Sequence, residues 1–458
     1  MSRRIFFVVC LFPLWGIGGL YAQDTIRITW RSEPEAYMYT KELRVCTADS
    51  GQFTVDWGDG NITTVTRPYA PTIQTQLLHT YNNPYYKDTS YTVTIADLTP
   101  NIQITRLVCK SQKVSFLDIS KCTKLERLDC SNNLLSVLDA SGCTALQELR
   151  CFDNQLSVLD VGGCTALQEL RCSNNLLSVL DISNCIVLLS LGCDNNLLTT
   201  LYINSNTNLE DFGCWNNQLS VLDISKNTKL KGLGCSNNQL GVLDISNNTA
   251  LADLDCSDNR LHLSDLYNAS EKIVHAFNKV LGTQRLLPQE FIVGESIDFS
   301  AQRRFGGIET VFTIEKDSLP TSDYAINNGI ITFKDTGIFT VIMTNSAIIS
   351  DPSYPAEVIV DIHVLPDVGI AEVTKENFII YPNPTIGELI VKIAGQARND
   401  MDKIEIYDVM GRNVGANLRV RPIDAETISI DISHLPSGIY VVKINTDKGI
   451  ITKKFVKN

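Results

Sequence analysis

The sequence predicts a mostly β protein: a solenoid of 21-residue coils with a parallel sheet on its concave face, flanked by β-sandwich domains. Three observations carry that prediction. Cysteine recurs at every twenty-first position from Cys109 to Cys256, at 109, 130, 151, 172, 193, 214, 235 and 256. Leucines repeat in phase with it, as at Leu125, Leu146 and Leu167 and again at Leu128, Leu149 and Leu170. An asparagine column, Asn133, Asn154, Asn175, Asn196, Asn217, Asn238 and Asn259, follows each cysteine from Cys130 onward by three residues, with Gln112 in that place in the first unit. A fixed period of this length marks one turn of a stacked coil.

The elements follow in chain order. At 458 residues the chain exceeds one ordinary core, so several domains are expected. Arg3 and Arg4, the apolar run from Ile5 to Leu20 and the small-residue site Leu20-Tyr21-Ala22 read as a secretory signal over 1–22. Pro13, Gly16, Gly18 and Gly19 interrupt that run, and no span-length apolar stretch follows. Cys10 lacks the small preceding residue of a lipoprotein signal. An exported chain with no transmembrane anchor after processing is expected.

Residues 24–103 read as a small β-sandwich. Phe53-Thr-Val-Asp-Trp-Gly-Asp-Gly60 is a strand entering a tight turn, and Tyr91-Thr-Val-Thr-Ile95 alternates like a half-buried strand. Trp57, Asp59, Gly60, His79 and Tyr81 resemble the hallmarks of the polycystic-kidney-disease type of immunoglobulin-like domain. Asp56 and Asp59 are read as turn caps, with calcium as the alternative.

The solenoid is expected over 104–267. Its units follow L-x-x-L-x-C-x-x-N-x-L, the leucine-rich repeat with cysteine in place of the third leucine. Alternation across Leu128-Asp129-Cys130 makes a short strand whose stacking forms the concave sheet. Leu138, Leu159, Leu180, Leu201, Leu222 and Leu243, each followed two residues on by a small or branched apolar residue, close the core from the other side in short strand or turn. A second cysteine column, Cys122, Cys143, Cys164 and Cys185, gives way to Asn206, Asn227 and Asn248. Export usually accompanies disulfides, yet periodic cysteines without paired spacing read as small buried side chains. Adjacent coils lie about 4.8 Å apart, so an occasional bridge stays open. No C-x-x-C occurs, and no metal or cofactor is expected.

Residues 268–366 read as a second sandwich, from Gly329-Ile-Ile-Thr-Phe333, Phe339-Thr-Val-Ile-Met343 and Val358-Ile-Val-Asp-Ile362, docked on the last coil. Residues 378–458 carry Tyr381-Pro-Asn-Pro384, Gly387, Ile404-Glu-Ile-Tyr-Asp-Val-Met-Gly411, Leu435-Pro-Ser-Gly-Ile-Tyr-Val-Val-Lys443 and the basic end Lys453-Lys-Phe-Val-Lys457. In this order they resemble the C-terminal sorting domain of the bacterial type IX secretion system. That resemblance implies export through the outer membrane by that machinery, removal of the tail and display at the cell surface.

Chemistry is sparse. The histidines at 79, 262, 275, 363 and 434 are scattered, and no G-x-S-x-G, H-E-x-x-H or phosphate loop occurs, so no catalytic residue is assigned and an enzyme is not expected. A net charge of −12 argues against nucleic acid as a partner. The concave face is the informative surface. In the column after the cysteine, Phe152 and Trp215 replace the Ser or Asp of the other coils, three coils apart. Exposed aromatics on a rigid sheet are usual anchors of a binding surface. The column before the cysteine holds Arg150 and Arg171, then the glycine strip Gly192, Gly213 and Gly234. These seven residues are the candidate ligand site. Alternatively the rings fold over neighbouring coils, and Glu148, Arg150, Glu169 and Arg171 neutralise one another.

The repeats resemble the internalin J class of surface proteins, which uses 21-residue units with a cysteine ladder. The likeness spans 104–267 and excludes the C-terminal export signal. It implies a non-enzymatic surface protein that binds a protein or glycan on host cells or other bacteria through the concave face. A structural role in biofilm or surface-layer cohesion is the second expectation.

Overall fold

A computed structural model describes residues 25–366, apart from 33–35, 37, 68–72, 84–87, 98–102 and 274–278. Beyond these it describes 378–381, 388–393, 403–408, 414, 419–422, 427–436, 438–446 and 449–457. The signal at 1–22 lies outside the described residues, as do Pro382 to Gly387 of the tail motif. The chain forms two compact units, Met1–Leu365 and Pro366–Asn458.

The first unit begins with β1 (Ile26–Arg31), β2 (Met38–Thr47), β3 (Gly51–Asp56), β4 (Ile62–Arg67), β5 (Thr75–Asn82) and β6 (Ser90–Asp97). Two strands of the first coil follow, β7 (Ile104–Val108) and β8 (Val114–Asp118). The expected boundary at 103 is crossed by both sheets. One runs β4-β3-β6-β1-β8, so β1 pairs antiparallel with a solenoid strand. In the other, β2 pairs antiparallel with β7, which opens the parallel concave sheet. An open solenoid end presents unpaired strand edges, and the sandwich supplies partners for both.

The hallmark residues of this region lock its turn. Tyr81 donates its hydroxyl proton to the Trp57 carbonyl oxygen at 2.7 Å, and the His79 ring stacks on Trp57 at 4.8 Å. His79 Nε2 lies 2.8 Å from Asp59 Oδ2. Asp56 accepts the Gly58 N–H and Asp59 the Asn61 N–H, so both carboxylates cap the turn.

The concave sheet continues through β9 (Arg127–Asp129), then β11 (Glu148–Arg150), β13 (Glu169–Arg171), β14 (Ser190–Gly192), β15 (Asp211–Gly213), β16 (Gly232–Gly234) and β17 (Asp253–Asp255). All pair parallel and in register, residue i on i+21, as in Leu128 on Leu149 on Leu170. On the opposite side β8 pairs with β1, and β10 (Val137–Asp139) pairs with β12 (Val158–Asp160); the later coils cross there without an assigned strand among the described residues. Every cysteine of the long ladder is fully buried and free.

Three polar columns make this stacking specific. Asn175 Nδ2 donates to the carbonyls of Cys151 and Cys172 at 3.0 Å, while its Oδ1 accepts the Leu156 N–H at 2.9 Å. The same bridge between coils recurs up to Asn259. Buried backbone groups are thereby paired where the strand ends. The preceding residue, Asn132, Asp153, Asn174, Asn195, Asn216, Asn237 or Asp258, holds φ of 50–55°, a left-handed turn that Asn and Asp tolerate. The third column explains the change from cysteine to asparagine. Cys164 Sγ donates to the Ala140 carbonyl at 3.2 Å, and Asn227 Nδ2 donates to the equivalent carbonyl of Ile203 at 3.1 Å. Either side chain satisfies the same acceptor 24 residues earlier.

The solenoid does not stop at 267. A helix, α1 (Leu263–Lys272), buries Leu263, Leu266 and Ala269, and β18 (Lys279–Val280) then adds a further parallel strand to β17. Gln284 stands in for the next ladder asparagine: its Nε2 donates to Cys256 and Leu281, and its Oε1 accepts the Leu261 N–H. This coil escapes the sequence template because it carries neither the cysteine nor the period. Buried Lys279 satisfies the helix end, donating to the carbonyls of Ser270 and Ile273. The following strands, chiefly Val311–Lys316, Gly337–Thr344 and Glu357–Leu365, form a sandwich held to this cap through Ile349 N–H to Ser270 Oγ and Ser350 Oγ to the Lys279 carbonyl. A single apolar core runs from Ile26 to Val364.

In the second unit, Phe378–Tyr381, Glu388–Ile393, Arg419–Pro422 and Thr427–Asp431 form one antiparallel sheet, and Lys403–Asp408, Gly438–Thr446 and Gly449–Lys457 the other. Leu389, Val391, Ile406, Ile430, Val442 and Phe455 fill its core.

Candidate functional site

On the concave sheet each coil presents three outward columns: three before the cysteine, one before it and one after it. Alternation forces this, because the leucine and cysteine between them point inward. The columns divide along the solenoid axis.

Over β9, β11 and β13 the face is charged and self-paired. Arg150 Nε lies 2.6 Å from Glu148 Oε1 on its own strand, and Arg150 Nη2 lies 3.4 Å from Glu169 Oε1 on the next. Arg171 Nε lies 2.6 Å from Glu169, and Arg127 lies 3.6 Å from Glu148. In-register stacking puts glutamate beside glutamate and arginine beside arginine. The guanidinium groups relieve that repulsion by reaching along the strand and diagonally across it. Arg150 belongs to this network.

Over β14 to β18 the face opens into a groove of about 700 Å³. Phe152 and Arg171 stand at one end and Val280 at the other, with Gly192, Gly213, Gly232, Gly234 and Trp215 between them. Both sequence-predicted aromatics therefore line one groove, together with Arg171 and the glycine strip.

The strip is not open floor throughout. A Cβ on Gly213 would sit 2.5 Å from Trp215 Cζ3, and one on Gly234 would sit 3.0 Å from Trp215 Cε3. The indole thus lies across both glycines, on its own coil and the next. Its remaining surface, 38% exposed, faces the groove. Only Gly192 keeps clear space, with Ser173 Oγ 3.4 Å from a Cβ position. Glycine is required at 213 and 234 to seat the ring, a role visible only once the ring's direction is known.

The groove also holds four carboxylates that sequence reasoning passed over. Asp194 accepts the Ser173 hydroxyl and the Asn195 amide. Asp255 accepts the hydroxyls of Ser236 and Ser257. Asp211 and Asp253 are exposed and make no ion pair or side-chain hydrogen bond among the described residues. Their sequence signal was the loss of basic residues from the concave columns after Arg171.

The thiols beneath the sheet take no part in this surface. Burial pushes Cys172 up to about 12 and holds Cys151, Cys193 and Cys214 well above the usual thiol range. They stay protonated and unreactive at neutral pH. Among the described residues no group of three or more His, Cys, Asp or Glu is placed to hold a metal ion.

Residues 379–458 match the secretion system C-terminal sorting domain family, and 233–253 match the LVIVD repeat. No curated protein sequence matches the chain. Among solved structures the chain is similar to the functional domain of InlJ from Listeria monocytogenes, which includes a cysteine ladder. That match has 22% identity and a TM-score of 0.39, over 59% of this chain and 69% of that one. InlP of the same organism matches at 18% identity and a TM-score of 0.38, over 55% of this chain and 76% of that one. A leucine-rich repeat protein of Leptospira interrogans matches at 22% identity and a TM-score of 0.29, over 33% of this chain and 48% of that one. The repeat fold itself stands on the parallel register and the asparagine bridges. Among the described residues no helix is long and apolar enough to cross a membrane.

Proposed function

We propose that this exported, surface-displayed leucine-rich repeat protein, sorted by the type IX secretion machinery through its tail, binds a protein or glycan on host cells or other bacteria through its concave groove. The observation that carries the reading is the groove over β14 to β18, where an indole seated on two glycines faces solvent beside unpaired carboxylates. Flat aromatic surface in a depression on a rigid sheet supplies contact area at little entropic cost. The two sandwiches extend the sheet at one end and cover its last coil at the other. The proposed role is adhesion without catalysis.

The test is binding of the purified protein to cells and to extracellular matrix. Trp215→Ala and Phe152→Ala lower binding while the melting temperature holds. Unchanged binding by both variants overturns the site. Deletion of Lys453 to Asn458 leaves the protein in the periplasm, and normal surface display of the truncated chain overturns the sorting role of those residues.

A structural role in biofilm or surface cohesion is the second reading. It is favoured by the exposed column Val137, Val158, Val179, Val221 and Val242 on the opposite side of the coils. Under that reading gene deletion reduces biofilm mass and the two aromatic substitutions do not.

A further inference from the structure

Resting on the concave groove as the binding surface, we infer that its ligand is a cationic, extended peptide segment, with an arginine or lysine side chain seated between Asp211 and Asp253 against the Trp215 indole. Charge is the first argument. Four carboxylates line the groove, Asp194, Asp211, Asp253 and Asp255, against the single guanidinium of Arg171. That guanidinium is held 2.6 Å from Glu169, and Lys231, whose ammonium feels the Asp211 charge, is bound to Glu210 at 2.6 Å. The groove therefore carries negative charge that the protein's own cations do not cancel.

Position is the second argument. Asp211 and Asp253 occupy the same column on β15 and β17, with Gly232 of β16 between them. Two strand spacings separate their backbones by about 9.6 Å. Gly232 adds no side chain between them, and the Asp211 carboxylate leans over it, 3.1 Å from where a Gly232 Cβ would be, so a cation seated on that carboxylate lies between the two acids. The indole next to it offers a π face, which attracts a guanidinium or ammonium group. A neutral sugar would use the same ring and leave the two carboxylates facing each other uncompensated.

Length is the third argument. From β11, beside Phe152, to β18 the groove crosses six strand spacings, roughly 29 Å, the reach of about eight extended residues. It is open along its length, as a chain segment requires.

The experiment titrates the full-length protein with a fluorescent octapeptide, Gly-Ser-Gly-Arg-Ser-Arg-Gly-Ser, and with its twin carrying glutamine for both arginines. An array of neutral oligosaccharides is probed in parallel. The expected result is a preference of about tenfold or more for the arginine peptide, weakening as salt rises from about 50 to about 500 mM. Asp211→Asn with Asp253→Asn abolishes the preference at unchanged melting temperature, and Trp215→Ala weakens binding of the arginine peptide. Equal binding of the two peptides, or a preference that survives the double substitution, overturns the cationic ligand. Binding of a neutral oligosaccharide but neither peptide, lost in Trp215→Ala, overturns it too and leaves the groove as the binding surface. Failure of both peptides and the array, with cell binding indifferent to Trp215→Ala, overturns the groove reading as well.

Discussion

The two halves of the concave face share one backbone and differ in what they do with charge. Over β9, β11 and β13, arginine and glutamate stack in register and cancel one another through pairs of 2.6–3.6 Å. Over β14 to β17, glycine and finally Asp255 replace arginine, serine, aspartate or glycine replaces glutamate, and Trp215 lies across the vacated backbone. The first half is complete in itself. The second leaves the Asp211 and Asp253 carboxylates and part of an indole face without a partner among the described residues. A solenoid can hold both because each coil touches only its neighbours, so surface columns change without disturbing the inward ones.

The comparison is sharpened most by perturbing what lies beneath both halves. Burial raises the ladder thiols, Cys109 and Cys172 to about 12, against an ordinary value of 9.0. A thiol whose folded pKa is raised contributes stability that is fully present below the unfolded pKa and lost as pH rises toward the folded one. At pH 10, above the ordinary thiol value, each such thiol costs on the order of 1 kcal/mol, and several of them together draw heavily on a stability of only about 5–15 kcal/mol. The first unit is expected to unfold cooperatively between pH 9 and 10.5 by circular dichroism; a flat melting temperature through pH 10.5 would refute a reduced, buried ladder.

Next comes the asparagine bridge. Asn175→Ala under the charged half and Asn217→Ala under the groove half each strand one backbone amide, Leu156 or Leu198, and remove one of the two donors from each of two cysteine carbonyls. Each is expected to cost about 3 kcal/mol in denaturant unfolding. Clearly unequal losses would break the claim of a common scaffold. Gly234→Ala is smaller and confined to one half: the new methyl displaces the indole, ligand binding falls by about tenfold and stability by about 1 kcal/mol or less. Retained near-ultraviolet ellipticity and full binding in that variant would unseat the ring's assignment. Smallest is Arg150→Gln in the charged half, about 0.5 kcal/mol with no change in binding, because exposed pairs contribute little. A large binding loss there would move the site out of the groove.

Much of this was legible beforehand because a repeat converts sequence distance into spatial contact. Once residue i stacks on i+21, the columns of Leu128, Cys130 and Asn133 predict the sheet, the core and the bridges together. The self-neutralising cluster at Glu148, Arg150, Glu169 and Arg171 followed from the same rule. The end coil did not, since α1, Lys279 and Gln284 keep the geometry of the stack without its period. Nor did the four groove carboxylates stand out: aspartate on a solvated face reads as ordinary until its cationic partners are found missing.

From the sequence by itself came the repeat length, the inward and outward columns, the two aromatic departures at Phe152 and Trp215, and the sorting tail. All of these are local or periodic. Only the tertiary structure decided that the N-terminal strands β1 and β2 extend the solenoid's own sheets, and that Trp215 lies across Gly213 and Gly234. It alone left Asp211 and Asp253 unpaired while committing Asp194 and Asp255 to serines. Such outcomes depend on side-chain direction and on pairing between segments with no common period, and these are set by packing in three dimensions.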